Sequence, residues 1–314
     1  MSSPLPFLDT LPHGVHVIDT GYYRERFDAS YLVVEANRAA FIDTGTNHAV
    51  PRLLAALDAV GVPRESVDFV IATHVHLDHA GGAGLLMQSL PQARLVVHPA
   101  GARHLVDPSR LMTSATAVYG EETMQSSFGQ MVSVAKERVI ESDDGMTLEL
   151  GSRLLQFFDT PGHAKHHHCI WDERSQGFFT GDTFGMAYGE FNGADGPWLF
   201  PTTPATQFEP DALRTSVQRL LGFDPQCMYL THFGAVKQVQ HLGTQLLHQL
   251  EGVVRLGESL RHHPQRSAAL QSGLTDLYLQ WLRNRRCALP RDKILELLAL
   301  DIELNAQGMD FWLG

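Results

Sequence analysis

The sequence predicts an α/β protein in which helices cover stacked sheets, followed by a C-terminal helical appendage. Two observations carry that prediction. Apolar, strand-like runs alternate with helical periodicity twice before residue 235, and beyond Val239 only the helical period remains. The expected division is residues 1–238 and residues 239–314.

The first half opens on "GVHVIDTG", "SYLVVEA", "AAFIDTG" and "DFVIATH", runs rich in Val, Ile and Phe and bounded by turn-forming residues, as strands are. Between them, Ala49 to Val60 carries Leu53, Leu54, Leu57 and Val60 at helical spacing, and a second helix is expected from about Gly82 to Leu90. "ARLVVHP" reads as another strand, and residues 108–136 as a mostly helical connector. The second half repeats the scheme: "MTLELG", "RLLQFFDTPG", "HHCIWDE" and "GFFTGDT", a helix over Pro210–Leu221, then "CMYLTHFG". Three stretches without strand signal complete the chain.

Of 314 residues, 44% are apolar, enough for a full core. Lys and Arg number 24 against 35 Asp and Glu, a formal charge of −11. A field of that sign repels phosphate backbones and anionic bilayers, so neither nucleic acid nor a membrane is an expected partner. No apolar run approaches the roughly 20 residues that span a bilayer, and "MSSPLPFLDTLPHG" lacks the basic start and apolar stretch of a secretory signal. Cys169, Cys227 and Cys287 are odd in number and widely spaced, so they are expected to be reduced and the protein cytoplasmic.

The 17 histidines are the unusual part of the composition. "ATHVHLDHAGG" places His74, His76, Asp78 and His79 directly after an apolar strand. Donors at a strand end are held by a rigid element and stay open to substrate. Imidazoles with one carboxylate suit zinc, and also iron or manganese. "FFDTPGHAKHHH", "FFTGDTFG" and "MYLTHFG" repeat the design with His163, Asp182 and His232. One such residue is weak evidence, but the fourfold repetition points to a metal centre.

These motifs resemble the metallo-β-lactamase superfamily. "THVHLDH" matches its T-H-x-H-x-D-H signature, and "TPGHAKHH", "TGDT" and "THFG" follow in its order, over roughly residues 13–235. The resemblance implies an αββα sandwich with the site at one edge between the sheets. It implies a first metal on His74, His76 and His163, a second on Asp78, His79 and His232, and Asp182 bridging them. Asp43 in "AAFIDTG" matches a carboxylate that supports the metal-binding loop; an Asx-type turn before Gly45 accounts for it as well. Where many members read "TPGHTxGH", this chain has "TPGHAKHHH", with His166 at the glycine. His167 is expected behind the ligands, and His166 and His168 at the surface or in structural roles.

Two divalent ions about 3.5–4 Å apart can hold a bridging hydroxide at neutral pH, and Asp78 is expected to orient it and pass a proton to the leaving group. The resulting expectation is hydrolysis of a small-molecule ester, thioester or lactone with an apolar acyl part. The family offers alternatives: a phosphodiesterase or nuclease, against which the charge counts, a mono-iron dioxygenase, and a metal-bound sensor without turnover. Flavodiiron members carry glutamate where this chain keeps His76. The glyoxalase II branch is disfavoured, because "TFGMAYGEFNGADGPW" lacks its G-R-F-F/E-G pattern and "THFG" replaces G-H-E.

Tyr188, Phe191, Trp198 and Phe200 either wall an apolar pocket, with Tyr22, Tyr23 and Phe27 opposite, or pack on the protein's own core. The basic stretches "RNRR" and "PRDK" either bind an anion such as glutathione or coenzyme A or form a solvated helix face. The helical segment is expected to lie beside the site and help select substrate, or to make a homodimer contact.

Overall fold

The computed structural model describes residues 5–193, 196–204 and 206–314. Strands β1 (Leu8–Thr10), β2 (Val15–Asp19), β3 (Ala29–Glu35), β4 (Arg38–Ile42), β5 (Val67–Ala72), β6 (Arg94–Val97) and β7 (Val139–Glu141) form one sheet in that order. The pairs from β1 to β4 are antiparallel and those from β4 to β7 parallel. Parallel neighbours need a crossover. Helix α1 (Val50–Val60) makes the first, and α2 (Leu77–Ala80) with α3 (Ala83–Gln88) the second. The third runs through α4 (Pro99–Val106), α5 (Ser109–Tyr119), α6 (Glu121–Thr123) and a π turn, Met124–Phe128.

The second sheet has the order β13-β12-β11-β10-β9-β8, from β8 (Thr147–Leu150), β9 (Arg153–Asp159), β10 (His168–Asp172), β11 (Gly177–Gly181), β12 (Cys227–Leu230) and β13 (Gly234–Val236). Only β11 and β12 pair in parallel among the registers found, and α7 (Pro210–Leu221) lies between them in sequence.

Side chains on a strand point alternately to opposite faces, and the two cores follow from that. Val15, Val17, Tyr31, Val33 and Ile71 meet Leu155, Phe157, Ile170 and Phe179 of the second sheet in one cluster. Their neighbours Ile18, Leu32, Val70 and Ala72 face the other way, onto Leu53, Leu57, Leu86 and Leu105 of the helices. Tyr31 ties the sheets together, its hydroxyl donating to Leu230 O at 2.5 Å.

The chain divides into two compact units: the segments up to Asp159, His166–Gly181 and Gln226–Ala235 form one, and Thr160–Lys165, Asp182–Pro225 and Val236–Gly314 the other. The second contains α7 with α8 (Val239–Leu260), α9 (Arg266–Asn284) and α10 (Arg291–Leu313). Its core answers the question about the aromatic loop. Tyr188, Phe191, Trp198 and Phe200 are all buried. Trp198 stacks on Phe200 at 4.6 Å and meets Tyr278 of α9 edge-on at 5.9 Å. Tyr188 donates to Asp301 of α10 at 3.0 Å. These rings are packed into the protein's own core. Arg285, from "RNRR", is likewise committed, donating to Gly196 O and Pro197 O at 2.9 and 3.0 Å.

The expected strands and helices are present. The sequence reading misses β1, β7 and β13, each three residues long, and the short helices α2 and α4. Three residues give no period to detect. Among the described residues, no helix is long and apolar enough to cross a membrane.

Candidate metal centre

Beyond Ala72 the chain leaves β5 and delivers His74, His76, Asp78 and His79 before α2 has ended. The preceding strand end holds this turn from behind: Thr44 donates to His79 O from its amide at 2.7 Å and its hydroxyl at 3.0 Å. Gly82 donates to Gly45 O at 2.9 Å, and a Cβ at Gly82 would fall 2.8 Å from Thr46 O. The glycine of "HAGG" is therefore a packing requirement.

Asp43 is the anchor. It is fully buried with φ +54°, a conformation that Asp tolerates better than most residues. Its carboxylate accepts from Thr73 N at 2.8 Å, Thr73 Oγ1 at 2.9 Å and Thr231 Oγ1 at 2.9 Å, and pairs with His79 Nδ1 at 2.8 Å. One side chain thus joins the ends of β4, β5 and β12. The support role implied by the resemblance describes its contacts. Thr73 and Thr231 are residues that sequence reasoning did not single out; the threonine before the histidine in both "ATH" and "LTH" is the signal that could have found them.

His232 Nδ1 faces Phe27 O at 2.9 Å. With Nδ1 occupied in both His79 and His232, each presents Nε2 toward Asp78 Oδ2, at 3.9 and 3.5 Å. Such hydrogen bonds fix the tautomer and aim of a metal-binding imidazole. His74 Nε2 lies 2.9 Å from His76 Nδ1, and His163 Nε2 lies 3.2 Å from Asp182 Oδ2. Donor atoms within 4.8 Å of one another form three groups: His74, His76 and His163; His74, His79 and Asp182; Asp78, His79 and His232. The seven donors expected from sequence all fall in them. Nitrogen and carboxylate donors so grouped fit a divalent transition metal.

The histidine run behaves differently from the surface placement expected for part of it. His166 is 7% exposed, and His167 and His168 less. His167 stacks on His74 with ring centroids 4.8 Å apart, as expected of a residue behind the ligands. Gly181 makes room for it, since a Cβ there would fall 2.6 Å from His167 Nε2 and Thr73 Oγ1. His166 Nδ1 accepts from Val75 N at 3.4 Å. His168 lies 2.7 Å from Ser142 Oγ, and burial pushes its pKa down to about 3. Of the two placements expected for His166 and His168, surface or structural, burial favours the structural one, because β10 starts at His168 and carries the run into the sheet.

Burial also raises Asp28, which accepts from Thr20 Oγ1 at 2.6 Å, to about 7. Of the aromatics after β2, Phe27 lies edge-on to the His232 ring at 5.4 Å, whereas Tyr23 is 54% exposed.

Residues 23–232 match the family model of the metallo-beta-lactamase superfamily. The metallo-beta-lactamase fold-containing protein ST1585 of Sulfurisphaera tokodaii is 26% identical over 228 residues, 71% of this chain and 79% of the relative. A solved structure of ST1585 superposes with a TM-score of 0.67 at 20% identity, covering 95% of this chain and 99% of that one. A hydroxyacylglutathione hydrolase of Aeromonas salmonicida is 29% identical over 64% of this chain and 59% of the relative. The human acyl-coenzyme A thioesterase MBLAC2 is 26% identical over 55% of this chain and 64% of its own length.

Proposed function

The chain belongs to the metallo-beta-lactamase superfamily, and on that premise we propose that it is a dinuclear metallo-hydrolase acting on an ester, thioester or lactone with an apolar acyl part. The observation that carries this reading is the aim of His79 and His232, whose Nδ1 atoms are tied back while both Nε2 atoms face Asp78. In this reading His74, His76 and His163 hold one ion, Asp78, His79 and His232 the other, and Asp182 spans both. Zinc is the first choice, with iron or manganese the other ions that these donors accept. Bound there, the ions would polarise a carbonyl and bring the pKa of water from about 15.7 toward about 7.

The remaining work falls to the chain. Asp78 is 25% exposed at its side chain, while His79 and His232 beside it are buried. Within that group it is therefore the donor able to reach incoming substrate, orient the attacking oxygen and carry a proton to the leaving group. Asp43 keeps His79 in the tautomer that offers Nε2. Relatives named for acyl-coenzyme A and hydroxyacylglutathione hydrolysis support carbonyl chemistry. The charge of −11 favours a small-molecule substrate over nucleic acid or a membrane surface, and the three free cysteines suit the cytoplasm.

The test is metal analysis of protein purified without added metal, beside an activity screen over thioesters, lactones and phosphodiesters. Two ions per chain and acyl hydrolysis are expected, with Asp78→Asn lowering kcat by about 100-fold or more. Efficient phosphodiester cleavage with no acyl hydrolysis would refute the carbonyl reading, as would oxygen consumption with a single iron.

A further inference from the structure

With the 184–200 aromatics spent in a core, the apolar part of a substrate needs another surface. One is built beside Asp78. Phe27 meets the ring of His232, Tyr22 meets Phe27 at 5.8 Å and Phe128 at 5.4 Å, and Tyr119 meets Phe128 at 5.2 Å. A continuous aromatic row therefore runs outward from His232. Phe27 and Phe128 are buried, but Tyr22 and Tyr119 remain partly exposed.

The row is held rigidly. Asp19 accepts from Gly21 N at 2.9 Å and Arg26 N at 3.2 Å, and Tyr22 N donates to Thr20 Oγ1 at 3.3 Å. Tyr119 ends α5 and Phe128 ends the π turn, each followed by a glycine of positive φ, Gly120 at +80° and Gly129 at +72°. Such π turns are frequent at functional sites.

The hydroxyls separate these two tyrosines from the structural ones. Tyr31, Tyr188 and Tyr278 each have a hydrogen-bond partner. Among the described residues, the Tyr22 and Tyr119 hydroxyls have none. A buried phenol with a structural role finds a partner; these two are half-exposed, so their hydroxyls reach the surface while their rings line it. Burial first, and the Asp78 charge second, raise both phenols above the usual tyrosine range, so both remain donors at neutral pH.

We propose that Tyr22 and Tyr119, joined through Phe128, form the wall that receives the apolar part of the substrate and sets its chain-length preference. The identity of that substrate part rests on the carbonyl reading above.

The probe is a series of straight-chain carboxylates, from butyrate to decanoate, titrated calorimetrically into the metal-loaded protein. Each added methylene should tighten binding by about 3- to 4-fold. In Tyr22→Ala and Tyr119→Ala the gradient should fall below about 2-fold per methylene, with metal content unchanged; Tyr→Phe at either position should keep it. Hydroxyl-radical footprinting of the unaltered protein supplies a readout that needs no variant. Decanoate should protect Tyr22 and Tyr119 and leave the exposed Tyr23 unprotected. A flat gradient, no binding, or wild-type gradients in both alanine variants overturns the wall, as does footprinting without protection. Acyl hydrolysis with a flat gradient would remove the wall and keep the reaction, whereas a steep gradient without acyl hydrolysis would do the reverse.

Discussion

Asp43 and Asp182 are both carboxylates at strand ends, yet removing them should do different damage. Asp43 accepts from Thr73 and Thr231 and pairs with His79, all of them buried. Asp43→Ala strands those groups without an acceptor, a loss of about 3–5 kcal/mol by analogy with broken buried pairs. Asp182→Ala removes a proposed ligand of both ions. Measured by metal analysis and by urea unfolding in chelator, Asp182→Ala should lose more metal and Asp43→Ala more stability; the opposite ranking would exchange their roles. His168 gives a second residue-scale test. Its folded pKa of about 3 lies below the ordinary 6.5, so between those values the unfolded chain binds the extra proton. Stability from this group is present above pH 6.5 and is lost as pH falls toward 3. His168→Leu should therefore flatten the unfolding free energy against pH by about one proton in that window. An unchanged slope would show that His168 is not neutral in the fold.

At the scale of elements, the donors were legible because their chemistry is written in residue type and their place at strand ends in the apolar run before them. "DFVIATHVHLDH" carries both signals. The fate of the aromatics was not legible. Whether Trp198 walls a pocket or a core depends on Tyr278, 80 positions away in sequence by subtraction, and no local pattern encodes that meeting. Tyr119 and Phe128 were hidden for the same reason, inside a connector read only as helical, although Gly120 and Gly129 mark where it breaks. Tertiary packing also reverses a propensity at Gly308 in α10. Alanine normally stabilises a helix interior by about 0.8–1.0 kcal/mol over glycine. Here a Cβ would fall 2.1 Å from Pro204 O and 2.4 Å from Thr203 O. Gly308→Ala should therefore lower the urea midpoint, where a solvent-facing helix would show a rise. A raised midpoint would mean that α10 and the 203–204 segment are not packed this closely.

For the whole molecule, the proposed donors run from His74 to His232, so no preformed site exists in the unfolded chain. Ions that bind only the folded protein add their binding free energy to its stability, about 4 kcal/mol for each ion when free metal is 1,000 times its Kd. The net charge of −11 acts in the same direction, because a field of that sign draws cations. Chelation should therefore lower Tm on the order of 10 °C, since an unfolding entropy of about 2.1 cal/mol/K per residue makes each kcal/mol worth about 1.5 °C in a chain of 314 residues. Refilling with zinc should restore it in proportion to metal bound. Asp182→Ala, which in the proposed set touches both ions, should lose most of the chelator-sensitive increment, whereas Tyr22→Phe should retain it. Calorimetric melts of native, chelated and refilled protein, each with its metal content measured, decide the matter. Identical melts at two ions and at none would show that the donors form a polar cluster without metal linkage, and the dinuclear reading would fall with them.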